Sequence, residues 1–407
     1  MIRAAGYPYD LASGAVGAAS VPSGASTGAA EAHELRDGDP ARYRGLGCRK
    51  AAASINGEIQ QALASRSIEE QQELDRTLIA LDGTPDKGRL GANALLAVSL
   101  AFARALANEH SMPLYQYFAS LLNLPLRTLP RMTINLFSGG KHAGGQVSVQ
   151  DVLIVPASAR TIDEGLAMAF AAYQCAIEYS AARYNARALT ADEGGLAPTF
   201  SHAEEMLESA VESIQRAGLR PGRDVALAID VAASHFFSDT GYLWEGKRLD
   251  GSAMIDLLAE WTGRYPLVSI EDGLAENDWE HWPQLVRHVA GKVLIVGDDL
   301  ICTNPKRIQR AIATQAANTL LLKVNQIGTL SEAAETCRLA REAGWQVTIS
   351  ARSGETEDNW LADLAVGWSG DQIKIGSITQ SERLAKYNRL LEIEDATGLP
   401  VVAWPAS

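Results

Sequence analysis

A chain of 407 residues is longer than one ordinary domain, and 47% hydrophobic against 21% charged residues is the composition of a folded globular protein, which excludes a disordered chain. Its 36 Lys and Arg against 49 Asp and Glu give a net charge of −13, which repels nucleic acid and anionic membrane surfaces. The four cysteines, Cys48, Cys175, Cys302 and Cys337, are far apart and form no CxxC pair, so neither a disulfide framework nor a thiolate metal site is expected.

The opening stretch, MIRAAGYPYDLASGAVG, has no continuous apolar run of the signal-peptide kind. The most apolar helix-like run, residues 95–107, is too short and Ala-rich to span a bilayer, so a cytoplasmic location without membrane contact is expected. The small-residue loop VPSGASTG (21–28) can close over a ligand and offer backbone N–H groups or the Ser26 hydroxyl; taken alone such a stretch is more often an ordinary turn. Residues 67–110 are helical in character, with Leu96, Leu100, Ala103 and Leu106 at helical spacing. Pro125 and Pro130 then punctuate the chain, dividing a first domain (1–123) from a second (124–407).

Beyond that join, short apolar runs end in ionisable residues and alternate with helical segments. They are VALAID ending at Asp230, PLVSIED with Glu271 and Asp272, VLIVGDD with Asp298 and Asp299, TLLLKV with Lys323, QVTISAR with Arg352, and QIKIG with Lys374. Continuous apolar strands alternating with helices predict parallel strands buried on both faces, and so many units in series predict a closed barrel carrying its charges at one rim. Two loops add to that rim. SGGKHAGG (138–145) displays His142 between glycines, and ADEGGLAP (191–198) carries Glu193 ahead of a Gly pair, where a turn or helix start is an equal alternative.

A single Asp at a strand end is usually a helix cap, but recurrence at equivalent places changes the expectation. Asp230, Glu271 and Asp298 would converge, and three carboxylates do not stay ionised together without a compensating cation. All-oxygen ligation with room for substrate and water favours Mg²⁺ over zinc. Either Lys323 or Lys374, its pKa depressed by desolvation and a neighbouring cation, would serve as a general base, and proton abstraction next to a carboxylate demands this combination of base and metal.

The chain resembles the enolase family along nearly its whole length, from VPSGASTG through ELRDGDP, GANALLAVSLA, GGKHAGG, DEGGLAP, DVAAS, SIEDG, GDDL, LLLKVNQIGT, SGETEDNWLADLAVG and QIKIGS to SERLAKYNRLLEIE. The resemblance implies an α/β protein: a small N-terminal α+β domain followed by an enolase-type (β/α)8-like barrel whose opening strands and helices depart from regular alternation. It implies that Asp230, Glu271 and Asp298 bind a structural Mg²⁺ and that Ser26 helps bind a second, substrate-bridged ion. Lys323 is then the base toward C2 of 2-phosphoglycerate, Lys374 binds the carboxylate, Arg352 and Ser353 the phosphate, and Glu193 helps expel the C3 hydroxyl. His142 and Gln150 also match substrate-site positions, and the family suggests a homodimer or higher homo-oligomer.

Two departures fall in the site. Enolases have a histidine where this chain has Ala351, and a glutamate where it has Asp151 in SVQDVLIVP. Shortening Glu to Asp withdraws a carboxylate by about 1.5 Å, enough to break a hydrogen bond, and alanine neither donates a proton nor holds water. Gly273 replaces a usual proline, and His235 stands where an acidic residue is common. The leading strand with its Ser-Arg-Gly-Asn-Pro-Thr stretch is missing, so either the true start lies upstream or the first domain has lost an edge strand.

Three readings follow from the resemblance. The favoured one is a diverged enzyme that binds a phosphorylated anion, abstracts the proton and ends the reaction differently, like carboxyphosphonoenolpyruvate synthase of phosphinate natural-product pathways, with a nucleotide-activated second substrate. The others are an authentic glycolytic enolase (phosphopyruvate hydratase) and a non-catalytic binding protein on the enolase scaffold, to which a complete metal triad and both lysines would be of no use.

Overall fold

The computed structural model describes residues 9–10 and 14–403, apart from 26, 65, 186, 290 and 292. Ahead of the barrel run helices α1 (Gln71–Asp82), α2 (Ala92–Glu109) and α3 (Leu114–Leu122). The helical stretch expected over 67–110 is therefore two helices. The break lies in DGTPDKGRLG, where Gly83 ends α1 in the left-handed conformation (φ 71°). The Asp82 carboxylate accepts there from the backbone N–H of Thr84 (3.0 Å) and of Leu90 (2.7 Å), closing the connection into a compact loop. Helix α2 is apolar nearly all round and correspondingly buried on almost every side.

The barrel strands are β1 (Arg131–Ser138), β2 (Asp151–Val155), β3 (Ala226–Asp230), β4 (Leu267–Glu271), β5 (Leu294–Gly297), β6 (Thr319–Leu322), β7 (Gln346–Ser350) and β8 (Gln372–Lys374). They pair in sequence order and close where β8 meets β1. All pairings are parallel except β1 with β2 and β2 with β3. Strand β2 thus runs against the others, and two helices, α4 (Ile162–Tyr184) and α5 (Ala203–Arg216), stand between it and β3.

Alternation along the strands sorts their residues into two cores. Val152, Ile154, Leu227 and Ile229 join the large cluster shared with the surrounding helices, whereas Leu153, Val155, Ala226 and Ala228 form a small separate cluster inside the barrel. Asp151 and Asp230 continue that inward-facing series. Register then sets them side by side, Asp151 opposite Asp230 and Asp230 opposite Glu271. The first residue of the reversed strand therefore lies at the same rim as the last residues of its neighbours.

The N-terminal unit sits against that rim. Ser23 and Gly354 exchange backbone hydrogen bonds (3.0 and 2.8 Å), and Lys87 pairs with Glu332 (2.9 Å). The buried Asp75 carboxylate accepts from the backbone N–H (2.9 Å) and hydroxyl (2.6 Å) of Ser331. No helix among the described residues is long and apolar enough to cross a membrane.

Candidate active site

The carboxylates and lysines at the rim meet as ion pairs. Lys374, the last residue of β8, reaches Asp230 (2.9 Å) and Glu271 (2.7 Å), and Lys323, just after β6, reaches Asp298 (2.5 Å), just after β5. Gln326 donates to the other Asp298 oxygen (2.8 Å) and Gln150 to Asp230 (3.2 Å). All these side chains are buried or nearly so. Burial and the neighbouring Asp230 carboxylate push Glu271 well above the usual carboxylate range. Burial opposes ionisation of Asp230 too, but Lys374 outweighs it and holds the group down at about 2.

The expected depression of the lysine pKa values is reversed. Burial alone would lower Lys323, yet Asp298 outweighs burial and holds it at about 12. Lys374 is raised as well, by Asp230 and Glu271 against the same penalty. Desolvation favours the neutral amine only where no carboxylate lies in contact, and here each lysine has one.

A second cluster faces the first. His142 Nδ1 lies 2.8 Å from Asp151 Oδ2, Ser138 donates to Asp151 Oδ1 (2.6 Å), and Asn135 donates to Glu193 (3.1 Å). Ligating atoms of His142, Asp151 and Glu193 all lie within 4.8 Å of one another. Burial disfavours the imidazolium, but Asp151 and Glu193 outweigh it and raise His142 to about 9. Burial pushes Asp151 up against the pull of His142, whereas His142, Arg383 and Lys374 overcome burial at Glu193 and keep it below its ordinary value. At neutral pH the proton of this cluster therefore resides on His142.

Glu193 owes its place to a tight turn closed by Gly194 N–H to Ala191 O (2.9 Å). Gly194 has φ 84°, and a Cβ there would lie 2.5 Å from Thr379 Oγ1, so only glycine fits. Ala351 follows β7, is 6% exposed, belongs to the large hydrophobic cluster, and donates its backbone N–H to Lys374 O (2.8 Å), which sets its backbone beside the lysine strand.

The next residues make a charged, buried corner. Arg352 bonds Glu31 through two nitrogens (2.9 and 3.1 Å) and Asn325 (3.0 Å), while Ser353 Oγ accepts from Ala25 N–H (2.7 Å). Helix α6 (Ser381–Thr397) holds this loop from beneath: Arg383 donates to the carbonyls of Arg352 (2.7 Å) and Ser353 (2.7 Å), and Lys386 pairs with Glu355 (2.8 Å) with both groups buried. Glu355→Ala would strand the Lys386 charge, so a loss of about 3–5 kcal/mol in chemical denaturation is expected. A change below 1 kcal/mol would mean the pair does not hold the loop.

Residues 9–118 match the family model of the enolase N-terminal domain, and residues 126–403 that of the enolase C-terminal TIM barrel domain. The chain belongs to the enolase family. Against that background, the residues singled out from sequence come together at one rim, except Ser26, which lies outside the described residues.

The rim also engages groups to which the sequence assigned no partner. Glu31 neutralises Arg352, and its signal was only a carboxylate three residues after Gly28, whose N–H it accepts (3.0 Å). Asp272 accepts from the backbone N–H of Asp298 (2.9 Å) and of Asp299 (2.8 Å) and so orients the Asp298 loop. Asp272, Asp298 and Asp299 form the other compact acidic triplet that could hold a metal. Both Asp272 oxygens accept from N–H groups, and between Asp230 and Glu271 the charge is balanced by Lys374. The Lys374 ammonium already plays the cation's part there, and among the described residues the buried Glu271 Oε1 has no hydrogen-bond partner. Hard oxygen donors and an unsatisfied carboxylate oxygen fit a divalent metal.

Proposed function

We propose that this enolase-family chain acts on 2-phosphoglycerate, phosphoenolpyruvate or a close analogue by Mg²⁺-assisted abstraction of the proton next to a carboxylate, with its elimination half diverged toward specialised metabolism such as carboxyphosphonoenolpyruvate synthesis. The observation that carries this reading is Ala351 beside an otherwise complete set of charged groups. The methyl group stands at the rim where the family has an imidazole, and Asp151 spends both oxygens on His142 and Ser138. Loss of one preorganised polar group commonly costs on the order of 100-fold in rate.

In this reading Asp230, Glu271 and Asp298 would hold Mg²⁺, and Ser26 would help bind a second ion. Such ions supply charge stabilisation to the doubly negative intermediate. Lys323 takes the C2 proton, Lys374 binds the substrate carboxylate once released from Asp230 and Glu271, and Arg352 and Ser353 bind the phosphate. Gln150, whose buried Oε1 has no partner, offers the substrate a further polar contact. Glu193, Asp151 and His142 surround the leaving group, with His142 the member that carries a proton.

Mg²⁺ is accordingly expected to raise stability by about 2.7 kcal/mol at a hundredfold excess over its dissociation constant. Glu271→Gln should abolish that gain with little loss of metal-free stability, because Lys374 keeps its Asp230 contact and the repulsion between Glu271 and Asp230 is removed. Thermal unfolding with and without Mg²⁺ measures both, and a full Mg²⁺ response in the variant would place the metal elsewhere.

The function itself is tested by following 2-phosphoglycerate with Mg²⁺ in D₂O by NMR. Exchange of the C2 proton with little phosphoenolpyruvate is the expected result. Rapid phosphoenolpyruvate formation would instead make the chain a working phosphopyruvate hydratase, a reading favoured by the close grouping of His142, Asp151 and Glu193. Absence of both signals would overturn the proposal.

A further inference from the structure

A cavity of about 500 Å³ adjoins the site on the outer side of the Gly140–Ala143 turn. Its walls include that turn, the approach to α5, and a small three-stranded sheet of Phe237–Ser238, Gly241–Trp244 and Lys247–Leu249. The volume falls in the range of small-molecule pockets, roughly 300–1,000 Å³. Lys141 and His142 are adjacent on the turn and go opposite ways: the His142 ring is buried against Asp151, while Lys141 is exposed and lines the cavity. One short turn thus serves as the wall between two spaces.

The lining is unusual for a chain of net charge −13. Among the described residues Lys141 has no ion pair and the His235 ring no hydrogen bond, although both line the cavity. Burial, and then the Lys141 charge, push His235 down to about 4, so its ring is a neutral donor and acceptor and Lys141 is a cation within electrostatic reach of it. The one carboxylate on the described lining, Glu245, is bound to the Ala203 N–H. Phe236 and Leu243 add apolar surface to the same lining. Phe236 packs edge-on against Tyr242 and Trp244, and Leu243 is 54% exposed. A free cation and an unpaired imidazole together with exposed hydrocarbon suit one kind of ligand.

We infer that this cavity is a second ligand site, next to the catalytic one, for a phosphate or phosphonate group carried on a flat, apolar body, with Lys141 and His235 holding the anion and Phe236 and Leu243 the body. Its use by a co-substrate rests on the diverged reaction proposed above; binding itself does not. Phenyl phosphate is a suitable probe, and saturating 2-phosphoglycerate with Mg²⁺ keeps it out of the Arg352 corner.

Calorimetric titration of the full chain under those conditions should give one equivalent of phenyl phosphate bound at least about tenfold more tightly than inorganic phosphate. Lys141→Ala should weaken both anions about tenfold, the loss of one charge-assisted contact. Leu243→Ser should remove the preference for phenyl phosphate while leaving inorganic phosphate unaffected. Both side chains are exposed, so the variants keep the fold. Equal affinity for the two anions, or affinity indifferent to Lys141→Ala, would overturn the inference. Should 2-phosphoglycerate fail to bind, the reaction proposed above falls, while the Lys141→Ala comparison without it still decides the cavity.

Discussion

Replacing Lys323 by glutamine is expected to slow C2 hydrogen exchange of 2-phosphoglycerate by on the order of 10²–10⁴-fold, the usual contribution of a positioned general base. Lys323 is the lysine whose release needs least rearrangement, since its ammonium has a single carboxylate contact, Asp298, whereas Lys374 bridges two. Asp298 is what keeps Lys323 protonated, at about 12, so a cation on Asp298 removes the support that holds the proton. Substrate affinity should fall by only a few-fold, because Arg352, Ser353 and Lys374 remain. Lys374→Gln should show the reverse split, a large rise in KM with a smaller effect on the exchange rate at saturation. The two variants distinguish what residue chemistry alone leaves open, namely which of two buried lysines is the base. Exchange at the parent rate in Lys323→Gln would exclude the assignment.

Six barrel strands were legible because each is a short apolar run with an ionisable residue at its C-terminal end. Strands β1 and β2 escaped that pattern for a physical reason. In β2 the direction is reversed, so the rim residue Asp151 precedes its apolar run, and in β1 the charged Arg131 sits at the far end from the site. The wider family pattern supplied Asp151 as a site residue, but not its partners. Contacts between Glu31 and Arg352, and between Asp272 and the Asp298 loop, join segments about 321 and 26 residues apart, which no local spacing encodes. The same holds for the lysines: the chain tells that they will be buried, but the sign of their pKa shift depends on carboxylates delivered by other strands. Gly83 and Gly91 did mark the break between α1 and α2, but periodicity in the flanking helices masked it.

Restoring histidine at 351 together with glutamate at 151 is expected to raise phosphoenolpyruvate formation by on the order of 100-fold, since preorganised polar groups of this kind contribute that much each or jointly. C2 exchange should change little, because Lys323 and the carboxylates are untouched. The double replacement is needed because both departures from the family lie at the same rim, at the ends of strands with two others between them in the barrel. Asp151 is fully buried and its oxygens are already taken by Ser138 and His142, so Asp151→Glu alone must displace one of them, at about 1–3 kcal/mol of stability. Ala351→His alone adds an imidazole at a position only 6% exposed, next to the strand of Lys374. If the double variant exchanges C2 protons yet forms no more phosphoenolpyruvate, the elimination half has been rebuilt through more than these two residues. The Lys141 and His235 side of the His142 turn, which differs in charge from the acidic residue common at 235, is then the next place where the divergence would act.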